Sequence, residues 1–178
     1  MNPEVTLSSQ VLYSGSILNL RLDTVQLSNG VTSQREIVEH GESVVIVALD
    51  RDGRVLLVRQ YRKSVDRTLL EAPAGGLAPG EDPRQAAARE LQEETGHVPG
   101  QLRKLGGFYA SPGYCSEYLH LFLATELEPG PPHPEEDEEI DLVKVPLADV
   151  WELIESGEIC DSKSVAGLLR VILMMGKS

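Results

Sequence analysis

The spacing of apolar positions changes several times along the chain, and each change marks an element. Near the start, Leu18, Leu20, Leu22, Thr24 and Val25 alternate with polar neighbours, as expected of a sheet with one solvated face. Val11–Tyr13, Leu18–Leu27 and Val31–Glu39 are predicted strands, and Asn29-Gly30 is a hairpin signal between the last two. Ser43–Leu49 is a continuous apolar strand, Asp50-Arg51-Asp52-Gly53 a turn, and Val55–Tyr61 the return strand. After Thr68–Leu70 the stretch Ala72–Gly80 is too rich in Gly and Pro for any regular element.

Asp82-Pro83 then opens a helix, with Asp82 as N-cap, Pro83 in the first turn and Gly96 at the C-terminal cap. Strands are expected near Leu102–Tyr109, Glu117–Thr125 and Asp141–Val145, the last two separated by a long acidic loop, Glu126–Glu139. The remainder reads as helix: Leu147–Ser156, ended at Gly157, and Lys163–Met175 behind a Ser162 cap. Trp151, at helical spacing with Ile154, is placed in the core. Mixed strands with helices between and after them predict an α/β or α+β sandwich.

With 178 residues the chain has room for one domain, or one domain plus a small appendage. Three strands make a weak unit alone, so residues 1–41 are read as a subdomain that packs on something else, and 42–178 as the main domain. Aromatics are only 4% of residues, so the core must rest on Leu, Val, Ile and Ala. No apolar run approaches the roughly 20 residues that span a membrane. The start, Met-Asn-Pro-Glu-Val, lacks the features of a signal peptide. A cytoplasmic location with no membrane partner is the expectation. A net charge of -12 argues against nucleic acid as a partner, though bound divalent cations can reverse the local field for a small phosphate-bearing ligand. Cys115 and Cys160 have no ligand-spaced neighbours and are expected to be free thiols, with no zinc site.

The helix Pro83–Thr95 carries the candidate chemistry. Its Arg89-Glu90-Leu91-Gln92-Glu93-Glu94 run puts three carboxylates on neighbouring positions of one face. Glu90 and Glu94, like charges at i,i+4, cost a bare helix a few tenths of a kcal/mol. Hard oxygen donors on one face suit Mg²⁺ or Mn²⁺, which would neutralise that repulsion. Arg89 and Glu93, also four apart, can pair. A solvated acidic helix face accounts for these carboxylates alone, but not for the wider pattern. Gly75, then Glu81, then Arg89-Glu90-Leu91, Glu93-Glu94 and Gly96 match the Nudix box at every polar and glycine position, and only His97 stands where an aliphatic residue normally closes it.

The chain therefore resembles the Nudix hydrolases. The resemblance implies an α/β/α sandwich around a mixed sheet, with a small N-terminal antiparallel sheet beside it. It also implies a requirement for Mg²⁺ or Mn²⁺, with more than one ion in each site. Carried over, Glu90 and Glu94 are metal ligands, Glu93 is a third carboxylate that is either ligand or catalytic, and the Ala74 carbonyl is a further ligand. Gly75 and Gly76 would let backbone approach the metals, while Glu81 and Arg89 would hold helix and loop in place.

Features outside the box resemble the ADP-ribose pyrophosphatase branch. Ser111 and Pro112 lie in Tyr109–Glu117, with Pro112 fifteen residues after the box. Arg59-Gln60-Tyr61-Arg62 followed by Leu69–Gly75 resembles that branch's approach to the box, and it makes Arg62 a diphosphate contact. Arg35-Glu36, near the end of the N-terminal strands, resembles an extra sheet exchanged across a homodimer, and both become substrate contacts. In that branch a loop glutamate positions the attacking water or acts as base, and Glu136 and Glu138 match it by spacing ahead of Ile140. The implied reaction is hydrolysis of ADP-ribose to AMP and ribose 5-phosphate. Another dinucleotide or nucleotide sugar (FAD, NADH, GDP-mannose) is the alternative substrate, because the box reads only the shared diphosphate. A non-catalytic Nudix-fold regulator is the alternative from another class; retention of Glu90, Glu93 and Glu94 counts against it.

Overall fold

The computed structural model describes residues 3–131 and 139–176, which form two units. The first comprises Met1–Glu42 with Tyr109–Tyr118, a segment that a cut of the sequence at residue 41 leaves in the other half. Its sheet is antiparallel, in the order β1 (Val5–Ser14), β2 (Leu18–Gln26), β3 (Thr32–His40). Gly30, with φ of 85°, makes the expected hairpin between β2 and β3, and its N–H donates to the Leu27 carbonyl at 2.9 Å. The strand β1 is ten residues long rather than three, with irregular register near Ser8 and Tyr13 and no residue buried. The Pro112 segment attaches to β3: Val38 N–H donates to the Tyr114 carbonyl at 2.7 Å, and Ser116 N–H to the Val38 carbonyl at 3.0 Å.

The second unit is built on a mixed sheet with strands β4 (Ser43–Leu49), β5 (Arg54–Arg62), β6 (Arg67–Glu71), β7 (Ala74–Gly76), β8 (His97–Tyr109), β9 (Tyr118–Pro129) and β10 (Ile140–Pro146). The order β10-β5-β4-β9-β8 forms the sheet's main path; β6 pairs with β5, and β7 with β4. Strand β4 runs antiparallel to β5 and parallel to β9. All seven of its residues are buried, so both faces of this strand are covered.

Alternate residues of β4 serve opposite cores. Val44, Ile46 and Ala48 pack with Ala86, Ala87 and Leu91 of α1 (Pro83–Thr95), together with Phe122 and Leu127. Val45 and Val47 face α3 (Ser162–Met175), where a Cβ at Gly167 would stand 3.3 Å from Val47 and 3.0 Å from Leu121. Helices thus cover both faces, giving the α/β/α layering. Each fully buried Val or Ile here contributes about 1.5–3 kcal/mol relative to exposure. Leu91 or Phe122 to Ala would cost more than any surface change.

Four local expectations need correction. The Gly- and Pro-rich stretch does contain a strand, β7, because Val44 and Val45 of β4 offer partners to Gly75 and Ala74. Ser162 lies inside α3, and the N-cap is Asp161, whose carboxylate accepts from the Ser164 N–H at 3.0 Å. Trp151 is 51% exposed rather than in the core. The helix expected over Leu147–Ser156 is a 3-10 turn, Leu147–Asp149, then α2 (Val150–Glu155), whose only buried residue is Val150. Six residues cannot present a full apolar face. Among the described residues, no helix is long and apolar enough to cross a membrane. Cys115 and Cys160 are free.

Candidate active site

The candidate chemistry of the second unit lies on α1 and the segment before it. Asp82 Oδ1 accepts from the Arg84 and Gln85 N–H groups at 2.9 and 3.4 Å, satisfying the helix start. At the other end Gly96, with φ of 67°, donates to the Gln92 carbonyl at 2.9 Å. These caps fix the span on which Arg89, Glu90, Glu93 and Glu94 ride.

Arg89 is the organiser of the outer side. Its Nε and Nη2 donate to both oxygens of Glu81 at 2.9 and 3.0 Å, and Nη2 also reaches the Gly76 carbonyl at 3.1 Å. Its Nη1 donates to Glu90 at 2.7 Å and to Glu93, the expected i,i+4 partner, at 2.8 Å. The Glu81 carboxylate, and after it Glu90 and Glu93, raise the pKa of this guanidinium further, against a smaller opposing effect of burial. Glu81 is held below the ordinary carboxylate range by Arg89 first and then by the Ala78 N–H at 2.8 Å. One permanent charge thus ties the loop to the helix.

The inner side is formed by Glu90 and Glu94, which converge on two consecutive residues of β7, Ala74 and Gly75. A Cβ built at Gly75 would fall 2.1 Å from the Glu90 carboxyl carbon and 2.3 Å from each oxygen. Only a glycine lets that carboxylate lie there. Glu94, 8% exposed, accepts from the Ala74 N–H through Oε2 at 3.2 Å. Glu93 is more exposed and turned to Arg89. Hard oxygen donors gathered against backbone suit a divalent cation such as Mg²⁺ or Mn²⁺. Among the described residues, no three Glu, Asp, His or Cys side chains stand together as a metal-binding group. The two carboxylates would therefore need the loop backbone, with the Ala74 carbonyl as the candidate, to complete a ligand set.

A second charged cluster backs this loop, and here the sequence was less legible. Glu71 is 1% exposed, and the Arg62 guanidinium forks onto it, Nε to Oε1 at 3.0 Å and Nη2 to Oε2 at 2.8 Å. Lys163 of α3 donates to the same Oε2 and to Asp161 Oδ1, the latter at 2.8 Å. Burial pushes the Glu71 carboxyl up, but hydrogen bonds from Arg62 and the charge of Lys163 outweigh it, and the net displacement is downward. The Glu71 hydrogen bonds raise Arg62 in turn, more than burial lowers it. The next residues are fastened on both sides: Ala72 N–H donates to Ser164 Oγ at 2.7 Å, and the Pro73 carbonyl accepts from Ile46 N–H at 2.8 Å. So β4, α1 and α3 all hold the segment 71–75. Glu71, Asp161, Lys163 and Ser164 were not singled out in the sequence. The available signal was a charged residue inside the apolar run Leu69-Leu70-Glu71-Ala72.

The remaining candidates fall in the first unit or outside the described residues. Arg35, Glu36 and Pro112 line a cavity of about 390 Å³ with Glu4, Tyr114 and Ser116. Arg35 forks onto Glu4 at 3.1 and 2.6 Å, and Nη1 reaches Ser33 Oγ at 3.0 Å. Ser111 supplies its carbonyl to the Tyr114 and Cys115 N–H groups at 3.1 and 2.9 Å, closing the turn that contains Pro112. Glu136 and Glu138 lie outside the described residues. His97, the residue that departs from the box, is tied through Nδ1 to the Thr95 carbonyl at 2.7 Å, and touches no carboxylate named above.

The model of the NUDIX domain matches residues 39–167 of this chain, and that of the nucleoside diphosphate sugar hydrolase N-terminal domain matches 4–38. The ADP-ribose pyrophosphatase of Bacillus subtilis (strain 168) is 41% identical, over 90% of this chain and 88% of its own. A methanol dehydrogenase activator of Bacillus methanolicus is 40% identical, over 91% of this chain and 89% of its own. A crystal structure of an ADP compounds hydrolase superposes with a TM-score of 0.90 at 26% identity, covering 99% of this chain and 96% of that one.

Proposed function

The chain belongs to the Nudix hydrolase family, and from that premise we propose that it cleaves the diphosphate of ADP-ribose, giving AMP and ribose 5-phosphate. The observation that carries the reaction class is the convergence of Glu90 and Glu94 on Ala74 and Gly75. Glu90, Glu94 and the Ala74 carbonyl would hold the divalent cations, with Glu93 beside them. Bound there, such ions lower the pKa of water and take up charge on phosphoryl oxygens.

The chain's own groups do the rest. Arg62, whose guanidinium is half-buried and forked, is shaped to grip a phosphate on two oxygens. Arg89 keeps Glu90 and Glu93 oriented without spending its charge on substrate. A glutamate of the acidic loop, Glu136 or Glu138, takes the proton of the attacking water, and the water oxygen replaces the bridging oxygen on one phosphorus. Arg35, Glu36, Ser111 and Pro112 contact the nucleotide.

We also assign a homodimer. The edge strand β1 exposes Val5, Leu7, Val11, Leu12 and Tyr13, each 49–59% accessible. An exposed apolar edge strand is a liability for a lone chain, and a second copy would cover it. The free thiols fit a cytoplasmic setting.

The match of residues 4–38 to a nucleoside diphosphate sugar hydrolase N-terminal domain favours a nucleotide sugar such as GDP-mannose as the second reading. Measuring kcat/KM on ADP-ribose, GDP-mannose, FAD, NADH and nucleoside triphosphates with Mg²⁺ and with Mn²⁺ decides between them. ADP-ribose should lead, and activity should vanish in EDTA. A triphosphate as best substrate would refute the roles given to Pro112 and Arg62.

A further inference from the structure

Two cations share one carboxylate at Glu71, and they are not equivalent. Arg62 comes from the end of β5 on a side chain that is 37% exposed. Lys163 comes from the start of α3, and its side chain is 17% exposed. Lys163 is pinned by Asp161 Oδ1 at 2.8 Å, the same oxygen that caps α3 through the Ser164 N–H. Ser164 Oγ in turn holds the Ala72 N–H. The inner cation is built into the fold, and the outer one is the more exposed of the two.

That asymmetry matters because Glu71 is 1% exposed. A buried carboxylate stripped of its cations is strongly disfavoured, so a single cation on Glu71 could not be drawn away to another anion. With two, one can leave. We propose that Lys163 is the counter-ion that stays on Glu71 while Arg62 turns its fork to a substrate phosphate, which makes Lys163 a positioning residue for substrate binding. This rests on Arg62 being a phosphate contact. Lys163 does not touch substrate; it acts by keeping Glu71 neutralised, so that Arg62 is aimed by Glu71 without being trapped on it.

The test uses the chain of 178 residues with Mg²⁺, steady-state kinetics on ADP-ribose, and equilibrium binding of an ADP-ribose analogue with a methylene group in place of the bridging oxygen of the diphosphate. Arg62→Ala should raise KM and the analogue's Kd about tenfold or more, the effect of a lost charge-assisted hydrogen bond. Lys163→Met should raise both by a similar factor while kcat changes little, and Lys163→Arg should restore them. In a Glu71→Gln background there is no buried charge to neutralise, so adding Lys163→Met should leave KM where Glu71→Gln alone puts it. If Lys163→Met fails to fold, that pair of Glu71→Gln variants carries the decision. An equal rise in KM in both backgrounds, or an effect of Lys163→Met confined to Tm or kcat, overturns the proposal. Weaker binding in Arg62→Ala with none in Lys163→Met also overturns it, and leaves the role of Arg62 standing. No change in Arg62→Ala overturns both.

Discussion

Replacing Gly75 by Ala should separate catalysis from stability. The added methyl would stand 2.1 Å from the Glu90 carboxyl carbon, and ordinary contact begins near 3.4 Å, so the carboxylate must retreat by about 1.3 Å. Gly75 is not among the glycines with positive φ, so the backbone accepts alanine. The Glu90 head can swing aside at the cost of its 2.7 Å charge-assisted hydrogen bond from Arg89, about 1.5–3 kcal/mol. Lower entropy of the unfolded chain offsets roughly 0.4–1 kcal/mol of that. Tm should therefore move by only a few degrees. A reacting arrangement misplaced by about 1 Å loses on the order of 10²-fold, so kcat/KM on ADP-ribose should fall by about that factor, and the Mg²⁺ concentration for half-activity should rise. Gly76→Ala is the matched control, because nothing lies within 4 Å of its added methyl. If Gly75→Ala is as active as Gly76→Ala at saturating Mg²⁺, the close approach of Glu90 to the loop has no part in the chemistry.

Glu90→Gln and Glu94→Gln should each cut turnover by several orders of magnitude in the same assay while circular dichroism stays native; normal rates in both would remove them as ligands. Glu136→Gln or Glu138→Gln should lower kcat by about 10²- to 10⁴-fold with little change in KM, whereas Glu128→Gln, whose side chain pairs with Arg51, should not. An unaffected double variant at 136 and 138 moves the base to Glu93. The depressed Glu71 carboxyl stabilises the fold fully above its ordinary value of 4.5, and that contribution is lost as pH falls through the lower folded value. Tm of the parent should thus drop with acid below pH 4.5 more steeply than that of Glu71→Gln, and parallel curves would contradict the ion cluster. Sedimentation should show a dimer, and removing residues 1–40 should lower both Tm and substrate affinity; a fully active monomer after that deletion would refute the assembly.

The helix over Pro83–Thr95 and the strand Ser43–Leu49 occupy the predicted spans, because caps and uninterrupted apolar runs are signals carried by adjacent residues. Strand ends were less legible: β1 begins at Val5, where polar Ser8, Ser9 and Gln10 hide it, and its existence depends on pairing with β2. Trp151 misled for a related reason. Helical spacing says which residues share a face, but not whether anything packs on it, and this tryptophan is half exposed.

By itself the sequence determined the chemistry available: the carboxylates, the arginine and the glycines of one short segment, at spacings that only a capped helix and an open loop make useful. Tertiary structure decided how they are held. The parallel pairing of β4 with β9 joins residues 76 positions apart, as Ser43 with Leu119, and no local signal names that partner. Glu71 and Lys163 are 92 residues apart, so neither residue's neighbours reveal that a buried carboxylate shares two cations. Gly75 is legible as a turn residue, yet its reason for being glycine is the Glu90 carboxylate, brought against it when α1 folds back over β7. Sequence periodicity reports which way a side chain points along its own element. What it meets there depends on chain closure over tens of residues, and that is settled only when the sheet and its two covering helices pack.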